Sequence, residues 1–425
     1  MSFTKIRQNF RYIVSKKLII ASIVIASLSS FLALLLKHTT EYLERILFLK
    51  SESQPLYIFI FPIMGLLMIH FLRRYLFKKK ENKGIKEIFD ATKSKSKSLP
   101  LYKIPSHFVN GLITVAFGGS TGIEVSTVVA TAAIGAATHK KKNFFRNYKT
   151  ELICAGVTAG ITILFSSPIA GILFSIEVIA KKTNRIFFLS NSIALIIAWS
   201  LLFLINEKPL IAVSITTWHF YAIPYFILLG ILAGINSVFL TKMVLFFKSK
   251  FGQMTNPYYR IISAAAIISL SLFFFPQLYG DGYHAMKGLF VDTNATATLG
   301  FASTFIMILL LKPIVTSATL ASGGDGGVFA PSLFIGAFLG LFMATIFNTF
   351  FNANVIPLNF MVIGMAAVLS ASIHAPFTAL FLVCGMINDY TLLFPLLMVC
   401  LVAKYTSKRI FPFTVYTYLP TTLKS

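Results

Sequence analysis

Residues 322–331 read Ser-Gly-Gly-Asp-Gly-Gly-Val-Phe-Ala-Pro, and the chain runs on as Ser-Leu-Phe-Ile-Gly-Ala-Phe-Leu-Gly to residue 340. A glycine turn that opens directly into an apolar helix puts weight on where that helix begins. The first turn of a helix has unpaired N–H groups and the positive end of the dipole, and an anion is the natural occupant in front of it. A second turn of the same kind, Gly118-Gly119-Ser120-Thr121-Gly122, precedes the apolar stretch Val125 to Ala137. Two such elements in corresponding positions of two halves point to an internal repeat, inverted or parallel, with a binding site where the repeats meet. Glycines that merely let helices pack closely in lipid are the competing reading.

The surroundings of both turns are apolar. Of 425 residues 56% are hydrophobic and 12% charged, against about a quarter charged in soluble domains. Apolar runs recur from Leu18 to Val402 without a long polar stretch between them, so the chain reads as an all-α, polytopic membrane protein. Several runs, such as Val109 to Phe117 and Phe360 to Ser370, are shorter than the ~20 residues of a full span. They read as broken or half-spanning helices, which are tolerated where their ends face protein or water. The run Leu18 to Leu36 reads as a first spanning helix rather than a cleaved leader. Cys154, Cys384 and Cys400 are an odd number and lie within apolar runs, which excludes a secreted disulfide scaffold.

The formal charge of +24 is concentrated in clusters, with five cations between Lys5 and Lys17 and eleven between Arg73 and Lys103. The connections Lys37 to Lys50, Glu207 to Trp218 and Gly280 to Thr298 hold few. Alternation of this kind follows the positive-inside rule and puts both termini in the cytoplasm, against lipid rather than nucleic acid. The expected layout is a cytoplasmic N-terminus (1–16), a first transmembrane half (17–205), an outer linker (206–220) and a second half (221–425). No His, Cys or carboxylate cluster has metal-ligand spacing, and neither metal nor cofactor is expected. Asn294-Ala295-Thr296 matches a glycosylation acceptor only as a common chance pattern.

Six acids lie in or beside apolar runs: Glu124, Glu151, Glu177, Asp281, Asp325 and Asp389. An intramembrane carboxylate is a functional candidate by default. Glu124 opens the helix after the first glycine turn. Ionised, it competes with an anion for the dipole-favoured position; protonated, it swings away, which makes it a gate. A helix cap is the alternative role.

These residues resemble the CLC family of chloride channels and chloride/proton exchangers. Gly327-Val328-Phe329-Ala330-Pro331 fits the family's GxFxP anion motif. Gly122-Ile123-Glu124-Val125-Ser126 is similar to its GREGP segment, with Glu124 at the gating position. Ser166 to Val178, His374 to Val383 and Tyr416 resemble further family segments. The resemblance implies a CLC-like fold of two inverted repeats and a homodimer with one pore per subunit in the cell membrane. It also implies a central anion held by the N–H groups of Val328 and Phe329 with the Tyr416 hydroxyl. An outer site would use amides around Glu124 and Ala330, flanked by Ile123 and Val125. Backbone donors bind a dehydrated chloride without trapping it. The chain's end nine residues after Tyr416 leads us to expect no cytoplasmic regulatory domain.

Three departures bear on mechanism. Ile123, Val125 and Ser126 replace the motif's Arg, second Gly and Pro. Asn82-Lys83-Gly84-Ile85-Lys86 aligns with the family's GSGIP, putting Lys83 at the anion-selecting serine. There it either attracts anions with its ammonium or snorkels to the cytoplasm and offers only its amide. Val178 occupies the position of the proton-relay glutamate, and valine carries no proton. That favours a gated chloride channel, with the chloride/proton antiporter as the alternative, since Glu177 or a water chain could substitute. A remote alternative, an intramembrane serine hydrolase, rests on Ser120 in a G-x-S-x-G string, which here lacks the strand that a nucleophile elbow requires.

Overall fold

The computed structural model describes residues 3–77, 82–94, 99–141, 147–180, 182–291 and 302–418. The acceptor pattern at Asn294 and the basic residues 78–80, 95, 97, 142, 146, 181 and 424 lie outside the described residues. Sixteen α-helices succeed one another among the described residues: α1 (Phe3–Ser53), α2 (Leu56–Phe71), α3 (Ile85–Lys93), α4 (Lys103–Ala116), α5 (Glu124–Lys141), α6 (Lys149–Phe165), α7 (Pro168–Phe174), α8 (Arg185–Leu204), α9 (Ile223–Gly252), α10 (Pro257–Phe274), α11 (Tyr283–Val291), α12 (Ala302–Ser322), α13 (Phe329–Phe351), α14 (Pro357–Ile373), α15 (Pro376–Ile387) and α16 (Leu393–Ile410). Seven of the described stretches are long and apolar enough to cross a membrane, and shorter apolar helices such as Pro357–Ile373 and Pro376–Ile387 accompany them.

The apolar runs of the sequence lie in helices, but the ends differ for a physical reason. α1 continues 17 residues past Leu36 as far as Ser53, because Lys37, Thr40 and Glu44 recur at helical spacing and are buried on one face. α4 starts at Lys103, well before the apolar run, because Lys103, Ser106, His107 and Asn110 are all buried. Polar residues turned inward hide a helix start from any hydropathy reading. Prolines at the first positions of α7, α10, α14 and α15 have no N–H to leave unpaired and set the helix entry.

The two halves repeat each other. α5 packs on α6 where Gly135 leaves room for the Leu152 carbonyl, and α13 packs on α14 where Gly340 does the same for the Phe360 carbonyl. Gly336 and Gly364 face each other in the second pair, where a Cβ on either would strike the other's backbone. Ser166 and His374, both at positive φ (51° and 56°), end α6 and α14 and lead into Pro168 and Pro376. Burial orders the helices. In α13 89% of the apolar window is buried, against 33% in α2 and α8, so α13 is central and the other two lie on the outside of the subunit.

Candidate functional site

The two glycine turns clasp each other. Gly122 N–H donates to the Gly327 carbonyl at 3.3 Å and Gly327 N–H to the Gly122 carbonyl at 3.2 Å. Flanking bonds are reciprocal. Ser120 N–H donates to Thr319 Oγ1 (3.2 Å) and Asp325 N–H to Thr114 Oγ1 (2.9 Å). Gly119 N–H returns to the Thr114 carbonyl (2.8 Å) just as Gly324 N–H returns to the Thr319 carbonyl (2.9 Å). The first turns of α5 and α13 therefore start side by side, and their positive ends add in one small volume. The glycines are dictated by space. A Cβ on Gly122 would meet the Glu124 carboxylate and Ala330, and one on Gly327 would run into Val125.

Glu124, 1% exposed, sits at this junction. Its Oε1 accepts a hydrogen bond from the Tyr283 hydroxyl at 2.7 Å. Its Oε2 has no hydrogen bond of good geometry, but the carboxylate lies beside the backbone amides of Glu124 and Ala330. A cavity of about 20 Å³ ends on it, lined among others by Lys37, Glu41, Ile123, Asp281 and Tyr283. That volume holds about one water-sized particle. At its edge Lys37 Nζ pairs with Glu207 at 2.8 Å. The carboxylate thus fills the position that two helix ends prepare for an anion.

On the opposite side of the bridge, Val328 N–H points at the Tyr416 hydroxyl, 3.4 Å away. Phe329 is fully buried, its ring 5.7 Å from that of Phe174 and 6.5 Å from that of Tyr416. The structure thus brings together Ile123, Glu124, Val125, Val328, Phe329, Ala330 and Tyr416. Val178 is buried in the π-turn Ser175–Ala180 that continues α7. Glu177 beside it accepts from both the N–H and the hydroxyl of Thr378 at 2.7 Å, capping α15. Lys83 N–H donates to the Glu87 carboxylate at the start of α3, while its neighbours Asn82 and Gly84 lie against Asp325 and Val125.

Several residues of this region carry no site signal in the sequence motifs. Tyr283, the partner of Glu124, is 159 positions away from it. Lys312 is fully buried, donates to the carbonyls of Leu278 and Gly280 at 3.2 Å, and lies 4.4 Å over the Phe334 ring. A lysine inside an apolar helix is itself a signal. On the inner face of the second turn, Asp325 pairs with His107 at 3.1 Å and accepts from Asn82 at 2.5 Å. Lys103 ties this group outward to Asn82 (3.0 Å) and Glu87 (2.7 Å). Ser120 Oγ lies 3.2 Å from Thr316 Oγ1, and among the described residues no histidine is its hydrogen-bond partner.

Comparison with known proteins places this arrangement. The model of the family described as "Voltage gated chloride channel" matches residues 64–408. The voltage-gated ClC-type chloride channel ClcB of Shigella flexneri is 27% identical over 312 residues, 72% of each chain. A putative chloride channel protein, ClcB-like, of Ralstonia nicotianae is 24% identical over 373 residues, 81% of each. Among solved structures, a CLC-type fluoride/proton antiporter matches with a TM-score of 0.79 at 22% identity, over 94% of this chain and 97% of that one. A slow cyanobacterial Cl−/H+ antiporter matches with the same score and identity, over 94% and 96%.

Proposed function

The chain belongs to the voltage-gated chloride channel family, and on that premise we propose that it carries chloride or a similar small anion across the membrane with Glu124 as its gate. One observation carries the reading: a buried carboxylate sits where two helix N-termini meet, beside the Ala330 amide and bonded to Tyr283. Ionised, the carboxylate takes the anion's place. Protonated, it no longer competes and the outer site opens. On the far side of the Gly122–Gly327 bridge the amides of Val328 and Phe329, with the Tyr416 hydroxyl, form the central site. Ile123 and Val125 wall the outer one. With its N–H bonded to Glu87, Lys83 acts through its ammonium, which attracts anions to that end of the route, and selectivity rests on the amides and Tyr416. The protein acts as a multi-pass homodimer in the cell membrane, one pore per subunit, with both termini cytoplasmic, the domain boundaries following the two halves.

Channel and exchanger differ in whether a proton reaches Glu124 from the cytoplasm. Val178 carries none, and Glu177 is engaged as the cap of α15, which favours the channel. The exchanger reading has its own support in the buried His107–Asp325 pair, a titratable pair on the inner face of the turn. Anion efflux from liposomes holding the purified protein, with external pH recorded, separates them. Chloride-driven proton uptake against its gradient establishes exchange; chloride flux without proton movement establishes the channel. Absence of any anion flux overturns the function.

A further inference from the structure

A cavity of about 290 Å³ lies between the end of α2, the start of α10 and the end of α12. His70, Arg73, Arg74, Arg260, Ser322 and Gly323 are among its walls, and no carboxylate of the described residues is. None of the described carboxylates pairs with Arg74 or Arg260. Arg260 Nε and His70 Nε2 are buried without a hydrogen-bond partner. Leaving a buried donor without an acceptor is costly, so these walls call for an acceptor brought from outside. Guanidinium forks on two different helices match the tetrahedral oxygens of a phosphate.

The rim identifies the source. Phe71 (42% exposed), Tyr75 (72%), Tyr258 (39%) and Tyr259 (68%) surround the arginines, the ring of aromatic side chains expected where a membrane meets water. The cluster of eleven cations that begins at Arg73 puts this end of α2 on the basic, cytoplasmic side. Basic pockets between transmembrane helices on that side take the head groups of anionic lipids. We infer that this pocket binds the phosphate of an anionic phospholipid. The occupant reaches the anion route through the turn itself. Arg73 Nη1 lies 3.1 Å from where a Cβ on Gly323 would stand, and Gly323 begins the turn that presents Val328. Lipid in the pocket steadies that turn, a consequence that rests on the transport reading; the binding does not.

Native mass spectrometry of the purified protein titrated with phosphatidylglycerol or phosphatidylcholine tests the binding. The wild type is expected to retain phosphatidylglycerol preferentially. Arg260→Gln is expected to weaken retention about tenfold and Arg74→Gln/Arg260→Gln further. Arg260→Lys, which keeps the charge and loses the fork, falls between, and Arg185→Gln in another basic connection changes nothing. Competition by inorganic phosphate in the wild type, lost in the double variant, supports the same phosphate chemistry from a soluble source. Equal phosphatidylglycerol retention by wild type and double variant, both eluting as folded protein, overturns the site, as does an absence of preference over phosphatidylcholine. In liposome efflux, phosphatidylglycerol speeds the wild type and not the double variant; if no flux occurs at all, the binding result still stands and only the transport reading fails.

Discussion

The turns at 118–122 and 323–327 share most of their backbone hydrogen bonds, part at Thr121 and Gly326, where only the glycine is at positive φ, and differ in the side chains on the helices they open. Thr114 and Thr319, Gly119 and Gly324, and Gly122 and Gly327 make corresponding bonds. Two residues beyond each bridging glycine the first half has Glu124 and the second Phe329. The first helix end therefore has a carboxylate of the chain itself beside it, while at the second the Val328 N–H points at the Tyr416 hydroxyl. The turns differ again at their middles. Ser120 makes a neutral contact with Thr316, whereas Asp325 is an acid held by His107 and Asn82. A repeat thus becomes a pathway by unequal placement of charge on equal geometry.

The sharpest way to break this comparison is to make the two helix starts alike. Glu124→Gln is uncharged and mimics the protonated gate, so anion flux is expected to persist while most pH and voltage dependence disappears in liposome or bilayer recordings. Gating that survives the substitution refutes the gate. Next comes the charge in the second turn. Asp325→Asn removes the charge that faces the buried His107 and the carboxylate that accepts from Asn82, a loss expected to exceed that of one neutral hydrogen bond, seen as a drop in the thermal midpoint of the detergent-solubilised protein. Its mirror, Ser120→Ala, removes one neutral hydrogen bond worth about 1 kcal/mol. Equal effects from the two would erase the asymmetry.

Smaller effects refine each side. Tyr283→Phe removes the donor to Glu124 Oε1, a bond to a charged group worth about 1.5–3 kcal/mol. The seated, ionised gate loses that much, so the open fraction at a given voltage rises about tenfold or more. Tyr416→Ala is expected to weaken central-site anion binding by about fivefold in calorimetry, the value of roughly one hydrogen bond, with gating unchanged.

Much of this is legible in the chain. The glycine turns, the GxFxP string and the lone acid at a helix start are local patterns, and the structure brings their residues to one place. The contacts that escape a sequence reading are those set by helix register across the fold. Tyr283 reaches Glu124 from 159 positions away, and no spacing rule connects them. His107 and Lys103 hide as polar interruptions before an apolar run, although buried polar residues on one helical face are the reason for the interruption. Lys83 aligns with an anion-selecting position, yet Glu87 takes its N–H. Gly84-x-x-Glu87 has the form of a helix-capping pair, and that signal is readable.

Matching ion pairs close the comparison: Lys103–Glu87 at 2.7 Å near the second turn and Lys37–Glu207 at 2.8 Å near the cavity that ends on Glu124. Glu207 lies in the connection after α8, outside the spanning segments. Burial acts to raise its carboxyl, but the Lys37 ammonium and then His38 outweigh it and hold the group below the usual carboxylate range. A lowered value in the folded state means that the stabilisation is present above the ordinary carboxylate pKa and is lost as pH falls through the lowered one. Glu207→Gln is expected to cost less than about 1 kcal/mol at neutral pH, because an amide oxygen remains for Lys37 at the edge of solvent. In thermal melts the gap between wild type and variant narrows as the solution is acidified past that point. A gap that stays constant with pH would mean that Glu207 acts by shape rather than by charge.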